Sequence, residues 1–502
     1  MSALKKLAGQ TAIYGLSTIL PRFLNYLLTP LLTYIFQKPV DFGINTELYA
    51  YISFINIIFT YGMETAFFNF ASKAENKNPV YSTALISILV STLSLSLLML
   101  IFSPNLAALS DFEDHVNYIV WSILIIATDA AMAIPFARLR LNQKAKRFAF
   151  IKTVNVVVNV FLNVFYFVIC KQAYEESILT GAESFTASCY NPQIGIGYAF
   201  LANLIANMVS LLLLGKEFTG FAYTFDKELW KKMIKYALPL LIVGLAGMVN
   251  ETFDRIILKY LLPEGVGQAE IGIYGACYKI AILMTIFIQA FRYAAEPFFF
   301  GNQKQEDSKK TNALILKYFV IACSLIFLGT MMNMSWIQKF VSEPYRVGIH
   351  VVPVLLLANL FLGIYFNLSI WYKLTGQTRY GAYITIVGAA VTLIINFVFI
   401  PKFSYTASAW ATFFSYGIMM VLSYFIGKRY YPVKYNLKNM FFFFGIAVAF
   451  YGISLLYKGS FDNKAELVLN NIILLVYCFI FYKFELPNLK RNKASTHAGK
   501  NS

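Results

Sequence analysis

Residues 80–103 (VYSTALISILVSTLSLSLLMLIFS) contain no charged side chain. A helix rises about 1.5 Å per residue, so about 20 apolar residues cross the hydrocarbon core of a bilayer. This stretch is therefore long enough to be a membrane-spanning helix. The run is continuous and does not alternate in polarity over ten-residue segments, which argues against a transmembrane β-barrel.

Thirteen further apolar blocks of similar length accompany it along the 502 residues. The fourteen predicted spans are 11–36, 46–70, 80–103, 116–138, 150–169, 193–214, 237–262, 272–299, 312–333, 347–368, 380–400, 405–427, 438–457 and 466–483. The chain is 58% hydrophobic and only 13% charged, whereas soluble domains have about 25% charged residues. The composition excludes a soluble enzyme, a disordered protein and a coiled coil, and it predicts an all-α polytopic membrane protein.

The basic residues predict the topology, because cytoplasmic loops are enriched in Lys and Arg. Fourteen crossings place both termini on one side, and most of the Lys and Arg lie at the termini and in the even-numbered connections. Residues 138–152 (RLRLNQKAKRFAFIK) are the strongest such loop. We therefore expect both termini to be cytoplasmic. The net charge of +17 then follows from topology and does not require a nucleic-acid partner.

A weak internal repeat predicts two lobes. Lys5-Lys6 precedes block 1 as Lys231-Lys232 precedes block 7, and blocks 2 and 8 end in similar Glu- and Phe-containing stretches. Six helices separate the copies, so both have the same orientation in the membrane. The predicted parts are an N-terminal lobe (1–215), a connector (216–236), a C-terminal lobe (237–430), two extra helices (431–483) and a disordered cytoplasmic tail (484–502).

Ten of the charged residues in the predicted spans are candidates for a buried functional site, although a charge at the bilayer centre costs about 2.5–3.5 kcal/mol. They are Arg22, Glu64, Asp129, Glu251, Asp254, Arg255, Lys279, Arg292, Glu296 and Lys317. Such charges must pair, reach the interface or face water. Because they occur in both predicted lobes, we expect most of them to converge on one hydrated cavity between the lobes.

Structural explanations compete with a functional one. Glu251 and Arg255 have the i,i+4 spacing of an ion pair on one helix face, as do Arg292 and Glu296. Lys317 is close enough to the end of its block to extend to the cytoplasmic surface. Neither Arg22 nor Asp129 has an opposite charge on its own helix, so the two residues either bridge helices or face water. Arginines in a cavity suit a phosphorylated substrate, because a guanidinium binds phosphate bidentately and stays charged.

The sequence gives little support to enzyme chemistry. It contains no GxxxxGK[ST], HExxH or GxSxG motif. The five cysteines and three histidines are scattered without metal-ligand spacing. We therefore expect a protein that is not an enzyme and has no cofactor or metal.

The chain resembles bacterial polysaccharide and lipid-linked oligosaccharide flippases of the multidrug/oligosaccharidyl-lipid/polysaccharide exporter superfamily. The segments that carry the resemblance are 15–33 (GLSTILPRFLNYLLTPLLT), 61–70 (YGMETAFFNF), 134–148 (IPFARLRLNQKAKRF), 250–258 (NETFDRIIL), 273–279 (IYGACYK) and 371–379 (WYKLTGQTR). The resemblance implies a V-shaped pair of six-helix lobes with two extra helices in the bacterial inner membrane. It also implies transfer of an undecaprenyl-pyrophosphate-linked sugar unit from the cytoplasmic to the periplasmic leaflet.

The charges and the resemblance together predict two sets of site residues. The substrate-binding set is Arg22, Arg255, Arg292, Lys279 and Asn250. The set for ion coupling or charge balance is Glu64, Asp129, Glu251, Asp254 and Glu296. The expected partners are the lipid-linked oligosaccharide, membrane lipids and a polysaccharide polymerase. The alternatives are a small-molecule exporter of the same superfamily and, in another class, a membrane oligosaccharide polymerase or ligase, against which the short outer loops argue.

Overall fold

The computed structural model describes residues 23–24, 26–181, 184–219, 221–263, 265–301 and 308–485, without the side chains of 293, 294 and 296–301. The first α-helices are α1 (Leu28–Ile35), α2 (Pro39–Thr60), α3 (Met63–Ala71), α4 (Asn78–Ile101), α5 (Ser103–Leu109), α6 (Val116–Leu141), α7 (Ala145–Val164), α8 (Lys171–Thr180), α9 (Phe185–Ser188) and α10 (Tyr198–Leu213). The others are α11 (Lys227–Glu251), α12 (Phe253–Leu261), α13 (Gly267–Gly301), α14 (Ser308–Met332), α15 (Met334–Ile337), α16 (Val352–Leu368), α17 (Ile370–Leu374), α18 (Arg379–Phe403), α19 (Tyr405–Tyr430), α20 (Leu437–Leu456) and α21 (Asn463–Phe484). The described residues form no β-strand.

Twelve helical stretches of the described residues are long and apolar enough to cross a membrane, and they correspond to predicted blocks 3–14. The predicted all-α polytopic fold is therefore confirmed. Half of block 1 lies outside the described residues, and block 2 is divided into α2 and α3. The count of fourteen spans stays a prediction.

The break between α2 and α3 is a backbone feature that hydropathy does not show. Tyr61 and Gly62 both have positive φ, of 34° and 73°. Positive φ is rare for a bulky side chain, and here the Tyr61 hydroxyl is held 2.8 Å from Ser87 Oγ. A Cβ at Gly62 would lie 2.9 Å from the Ala237 carbonyl oxygen of α11. The break thus lets α11 approach the backbone closely.

Helices α2 and α13 pack backbone against backbone. A Cβ at Gly43 would lie 1.9 Å from the Gln268 carbonyl oxygen, and one at Gly272 would lie 1.9 Å from the Pro39 carbonyl oxygen. Only glycine fits at these two positions, as at close helix crossings in membranes generally. This crossing joins the first half of the chain to the second.

The remaining helices pack mainly near their own part of the chain. In the first half, α4 and α10 pack on α6, and α7 packs on α10; in the second half, α16 and α18 pack on α19, α13 packs on α16, and α14 packs on α20. Helix α2 contacts α6 of the first half as well as α13 of the second. The space beside α2 is therefore bordered by both halves.

The C-terminal end of α21 is tied into the bundle by a buried ion pair. The Lys317 Nζ atom lies 2.6 Å from Glu485 Oε2, and the Tyr318 hydroxyl and the Asn439 amide donate hydrogen bonds to the same carboxylate. Lys317 therefore does not extend to the surface as expected. The predicted tail also began too early, because Phe484 still belongs to α21 and Glu485 is buried.

Candidate functional site

Two polar cavities lie one after the other along α2. The first, which we call the Arg255 cavity, has a volume of about 380 Å³. It is lined by α1, by residues 42–53 of α2, and by α7, α10, α12 and α13 together with Glu251 and Thr252. The second, which we call the Asp129 cavity, has a volume of about 680 Å³. Its lining comprises residues 56–60 of α2 with parts of α3, α6, α7 and α11.

A helix break places Arg255 in the first cavity. Helix α11 ends at Glu251, and Thr252 has φ −136° and ψ −16° before α12 begins. The Arg255 side chain reaches back across this break, and its Nη1 atom donates a 2.8 Å hydrogen bond to the Glu251 carbonyl oxygen. Its guanidinium carbon lies 4.3 Å from the centroid of the Tyr278 ring, within cation–π range. Its Nη1 atom also lies 3.9 Å from the buried Asp254 carboxylate, so Arg255 is paired with Asp254 and not with Glu251 as predicted.

Lys279 lines the same cavity from α13, and its ammonium group makes no ion pair or hydrogen bond with another described residue. Glu251 is also at the cavity and is exposed. The described charges of this lining are therefore two cations and one carboxylate, all from α11, α12 and α13. Arg255 Nη1 also lies 3.9 Å from the buried Asp254 carboxylate, so of the two cations only Lys279 has no acidic partner among the described residues.

The facing wall of the Arg255 cavity is uncharged and rich in carboxamides. Its asparagines come from α2, α7 and α10: Asn45, Asn159, Asn163 and Asn203. Asn203 donates a 2.8 Å hydrogen bond to the Tyr49 hydroxyl, and Asn163 donates one of 2.8 Å to the Asn159 carbonyl oxygen. The side-chain oxygens of Asn45 and Asn163 are buried and accept no hydrogen bond from the described residues. The wall is therefore polar and uncharged, and these two oxygens do not open onto the cavity.

The charges of the Asp129 cavity neutralise one another. Arg140 Nη2 lies 2.5 Å from Glu64 Oε1 across the space between α6 and α3. Asp129 accepts a 3.0 Å hydrogen bond from the Asn207 amide, and Lys152 extends from α7 over the Phe136 ring into the same cavity. Two carboxylates thus face two cations.

The predicted site residues therefore do not share one cavity, which corrects the expectation of a single chamber. Glu251, Arg255 and Lys279 line one cavity, whereas Glu64 and Asp129 line the other. The boundary between the two cavities falls on α2. Ser53 lines the Arg255 cavity, and Asn56, about one turn further along the helix, lines the Asp129 cavity. The side chains of Arg22 and Glu296 lie outside the described residues.

Three other predicted site residues lie away from the cavity linings. Asp254 is buried and accepts a 2.8 Å hydrogen bond from the Tyr274 hydroxyl. Asn250 joins α11 to α18 and α19, because its side-chain oxygen accepts hydrogen bonds from Thr392 and Ser415. Arg292 lies over the Phe366 ring at 4.1 Å. The structure gives Asn250 a packing contact rather than a position at either cavity.

Sequence reasoning missed two components of the cavities. Lys152 stands where the predicted loop 138–152 and the predicted span 150–169 overlap, whereas α7 begins at Ala145 and places it two turns inside the helix. The asparagines are neutral and carry no large insertion cost that would single them out. A signal was present, because Asn155, Asn159 and Asn163 follow one another at i,i+4 spacing and so share a helix face. The described residues contain no group of three or more His, Cys, Asp or Glu side chains arranged to hold a metal ion.

Comparison with known proteins relates the chain to a protein family and to a known fold. No curated protein matches the chain. Among solved structures, the lipid II flippase MurJ in an inward closed conformation matches with a TM-score of 0.67 at 15% identity, covering 94% of this chain and 98% of that one. An inward-facing multidrug resistance MATE family transporter of the MOP superfamily matches with a TM-score of 0.58 at 13% identity, covering 86% and 94%. At these identities the likeness concerns the fold. Residues 7–303 match the family described as polysaccharide biosynthesis protein, and because they make up more than half of the chain, the protein belongs to this family.

Proposed function

We propose that the protein is a flippase that moves an undecaprenyl-pyrophosphate-linked oligosaccharide from the cytoplasmic to the periplasmic leaflet for cell-surface polysaccharide biosynthesis. The observation that carries the proposal is the Arg255 cavity, whose lining contains the two cations Arg255 and Lys279 and the single carboxylate Glu251, and in which Lys279 has no acidic partner among the described residues. Membership of the polysaccharide biosynthesis protein family and the fold shared with a lipid II flippase support it.

The proposed transport cycle is alternating access of two six-helix lobes, residues 1–215 and 237–430, with 431–483 as two additional helices. The crossing of α2 with α13 is the proposed pivot, because the helices touch there without intervening side chains at Gly43 and Gly272. With both termini in the cytoplasm, the Asp129 cavity lies on the cytoplasmic side of the Arg255 cavity. A headgroup entering from the cytoplasm then passes the balanced charges before it reaches the unbalanced cations.

Chemical complementarity supports a pyrophosphate. The guanidinium of Arg255 has five N–H donors and the ammonium of Lys279 has three, and hydrogen bonds from such cations to phosphate are about twice as strong as neutral ones. Because a charge within the bilayer costs about 2.5–3.5 kcal/mol, an anionic headgroup is stabilised by meeting cations there. The polyprenyl chain stays in the lipid, and a polysaccharide polymerase on the periplasmic side is the proposed recipient of the product.

A small-molecule exporter is the second candidate, and the fold shared with a multidrug resistance transporter favours it. The excess of cations in the Arg255 cavity argues against cationic drugs as substrates, because like charges repel in a medium of low dielectric constant. Export of an organic cation by reconstituted protein, unaffected by changes at Arg255, would favour this candidate over the flippase.

The proposal is tested in proteoliposomes with a fluorescent pyrophosphate-linked oligosaccharide, by following its loss from the outer leaflet. The double variant Arg255→Ala, Lys279→Ala is expected to lower the initial rate about 100-fold, since it removes two charge-assisted contacts. Arg379→Ala is the matched control, because Arg379 also lies over a tyrosine ring but is exposed and outside both cavity linings. A wild-type rate in the double variant would contradict the proposed site.

A further inference from the structure

Lys259, one turn after Arg255 on α12, joins the two halves of the chain through ion pairs. Its Nζ atom lies 3.2 Å from Glu47 Oε1 of α2 and 3.2 Å from Asp111 Oδ2 in the segment after α5. The same ammonium group donates a hydrogen bond to the Ser110 carbonyl oxygen. All three partners belong to the first half of the chain, whereas Lys259 belongs to the second.

The ion pair between Lys259 and Glu47 is buried. The Glu47 side chain is fully buried and that of Lys259 is 11% exposed, whereas the side chain of Asp111 is 73% exposed. Removal of one partner from a buried ion pair is costly, because the other charge is left in the interior without compensation. Separation of the helices avoids this cost, since water then reaches both groups.

Two further contacts between the halves lie at the same end of the helices. The hydroxyl groups of Tyr51 on α2 and Tyr260 on α12 are 2.7 Å apart. The Ser342 hydroxyl donates a 2.7 Å hydrogen bond to the Thr33 carbonyl oxygen of α1. With both termini in the cytoplasm, as in the proposed function, this end is the periplasmic one, because α2 begins there and α12 ends there.

We propose that the ion pair between Lys259 and Glu47 holds the two halves together at the periplasmic end of α12, and that it breaks when the transporter opens toward the periplasm. The proposal rests on the topology and the alternating access of the proposed function, and it adds the residues of a periplasmic gate. We call this contact the gate ion pair.

Helix α12 connects the gate ion pair with the Arg255 cavity. Arg255 lines the cavity and Lys259 follows four residues later, so both side chains lie on one face of a nine-residue helix. The break at Thr252 separates α12 from α11. Helix α12 packs on α2 of the first half and on α13 and α18 of the second. Release of Lys259 from Glu47 therefore removes the charged contact between α12 and the first half, next to the cavity.

The test measures distances between spin labels on the two halves by double electron–electron resonance, in the full-length protein in detergent. The labels are attached at Leu179→Cys in α8 and Lys402→Cys in α18, which are exposed positions, after replacement of the five native cysteines by alanine. Lys259→Met is expected to raise the ratio of the longer to the shorter distance at least about tenfold, because it leaves Glu47 buried and unpaired while the gate is closed.

A second variant and a matched control separate the gate from a general loss of packing. The double variant Glu47→Gln, Lys259→Met is expected to return to within about threefold of the wild-type ratio, because neither buried partner is then charged. Lys317→Met is the matched control. It also breaks a buried pair of a lysine with a glutamate, but Lys317 and Glu485 both belong to the second half. The distance ratio in this control is expected to stay unchanged.

The outcomes distinguish the gate ion pair from the proposed function. A wild-type distance ratio in folded Lys259→Met, or an equal rise in Lys317→Met, overturns the gate and leaves the proposed function standing. Absence of oligosaccharide flipping by the wild type contradicts the proposed function, whereas a rise confined to Lys259→Met still supports the gate. Thermal unfolding in detergent identifies a variant that has lost its fold. A folded Glu47→Gln variant then takes the place of Lys259→Met, with an expected rise of about threefold, and an unchanged ratio in it overturns the gate.

Discussion

The Arg255 cavity and the Asp129 cavity share the walls α2 and α7 but treat charge in opposite ways. In the Asp129 cavity, two carboxylates and two cations lie together, and Glu64 and Arg140 are in direct contact. In the Arg255 cavity, the lining holds two cations and one carboxylate. Arg255 donates to a backbone carbonyl and lies 3.9 Å from Asp254, which is outside the lining, whereas Lys279 has no acidic partner among the described residues. The comparison teaches that buried charge alone does not identify a binding site in a membrane protein. An excess of one sign of charge in a cavity lining is a stronger indication of a binding site than the presence of buried charge.

The largest effect is expected from reversing a charge in the unbalanced cavity. Arg255→Glu turns two cations and one acid into one cation and two acids, and the flipping rate in proteoliposomes should fall more than about 100-fold, because a carboxylate repels the incoming phosphate. Lys152→Glu in the other cavity is the comparison variant, and its effect should be smaller by at least about tenfold. Equal losses in the two variants would remove the distinction between the cavities.

An intermediate effect on the flipping rate is expected when one charge of the Asp129 cavity is removed. Arg140→Gln leaves Glu64 without its partner, and the flipping rate should fall about tenfold, because the headgroup then meets a free carboxylate on its path. The double variant Glu64→Gln, Arg140→Gln should recover to within about threefold of the wild-type rate, because the neutral pair restores the balance. A double variant as slow as the single one would mean that Arg140 itself binds the substrate.

The smallest effect on transport is expected from a charge that touches neither cavity. Lys317→Met leaves the buried Glu485 carboxylate unpaired, which should lower the free energy of unfolding by about 3–5 kcal/mol. The flipping rate per folded molecule should stay within about twofold of wild type. Thermal unfolding in detergent and the flipping assay measure the two quantities on the same preparation. A large loss of flipping with unchanged stability would contradict the separation of structural from functional charge.

Most of the fold could be predicted from the sequence. Burying unpaired backbone groups or charges in lipid is costly, so membrane-spanning helices appear in the sequence as long apolar blocks. Blocks 3–14 reappear as long apolar helices. The break at Tyr61 and Gly62 could not be predicted from the sequence, since it depends on backbone conformation and on the approach of α11. Hydropathy gives length and polarity, and it does not give the direction of the chain at a helix end.

The candidate site could be predicted only in part, because a cavity is lined by helices that are distant from one another in the sequence. The cost of membrane charge singled out Arg255 and Lys279, and the structure places both in one lining. The same reasoning could not distinguish them from Lys317, whose partner Glu485 lies far along the chain. The asparagines of the Arg255 cavity were not indicated by this cost, since neutral side chains carry no large insertion cost; only their helical spacing marks them.

The most direct test of the unbalanced-charge account is an electron cryomicroscopy structure of the full-length protein with farnesyl-pyrophosphoryl-glucose. The account predicts density for the pyrophosphate in the Arg255 cavity, with phosphate oxygens about 2.7–2.9 Å from the nitrogens of Arg255 or Lys279. Pyrophosphate density in the Asp129 cavity, with the Arg255 cavity empty, would contradict it.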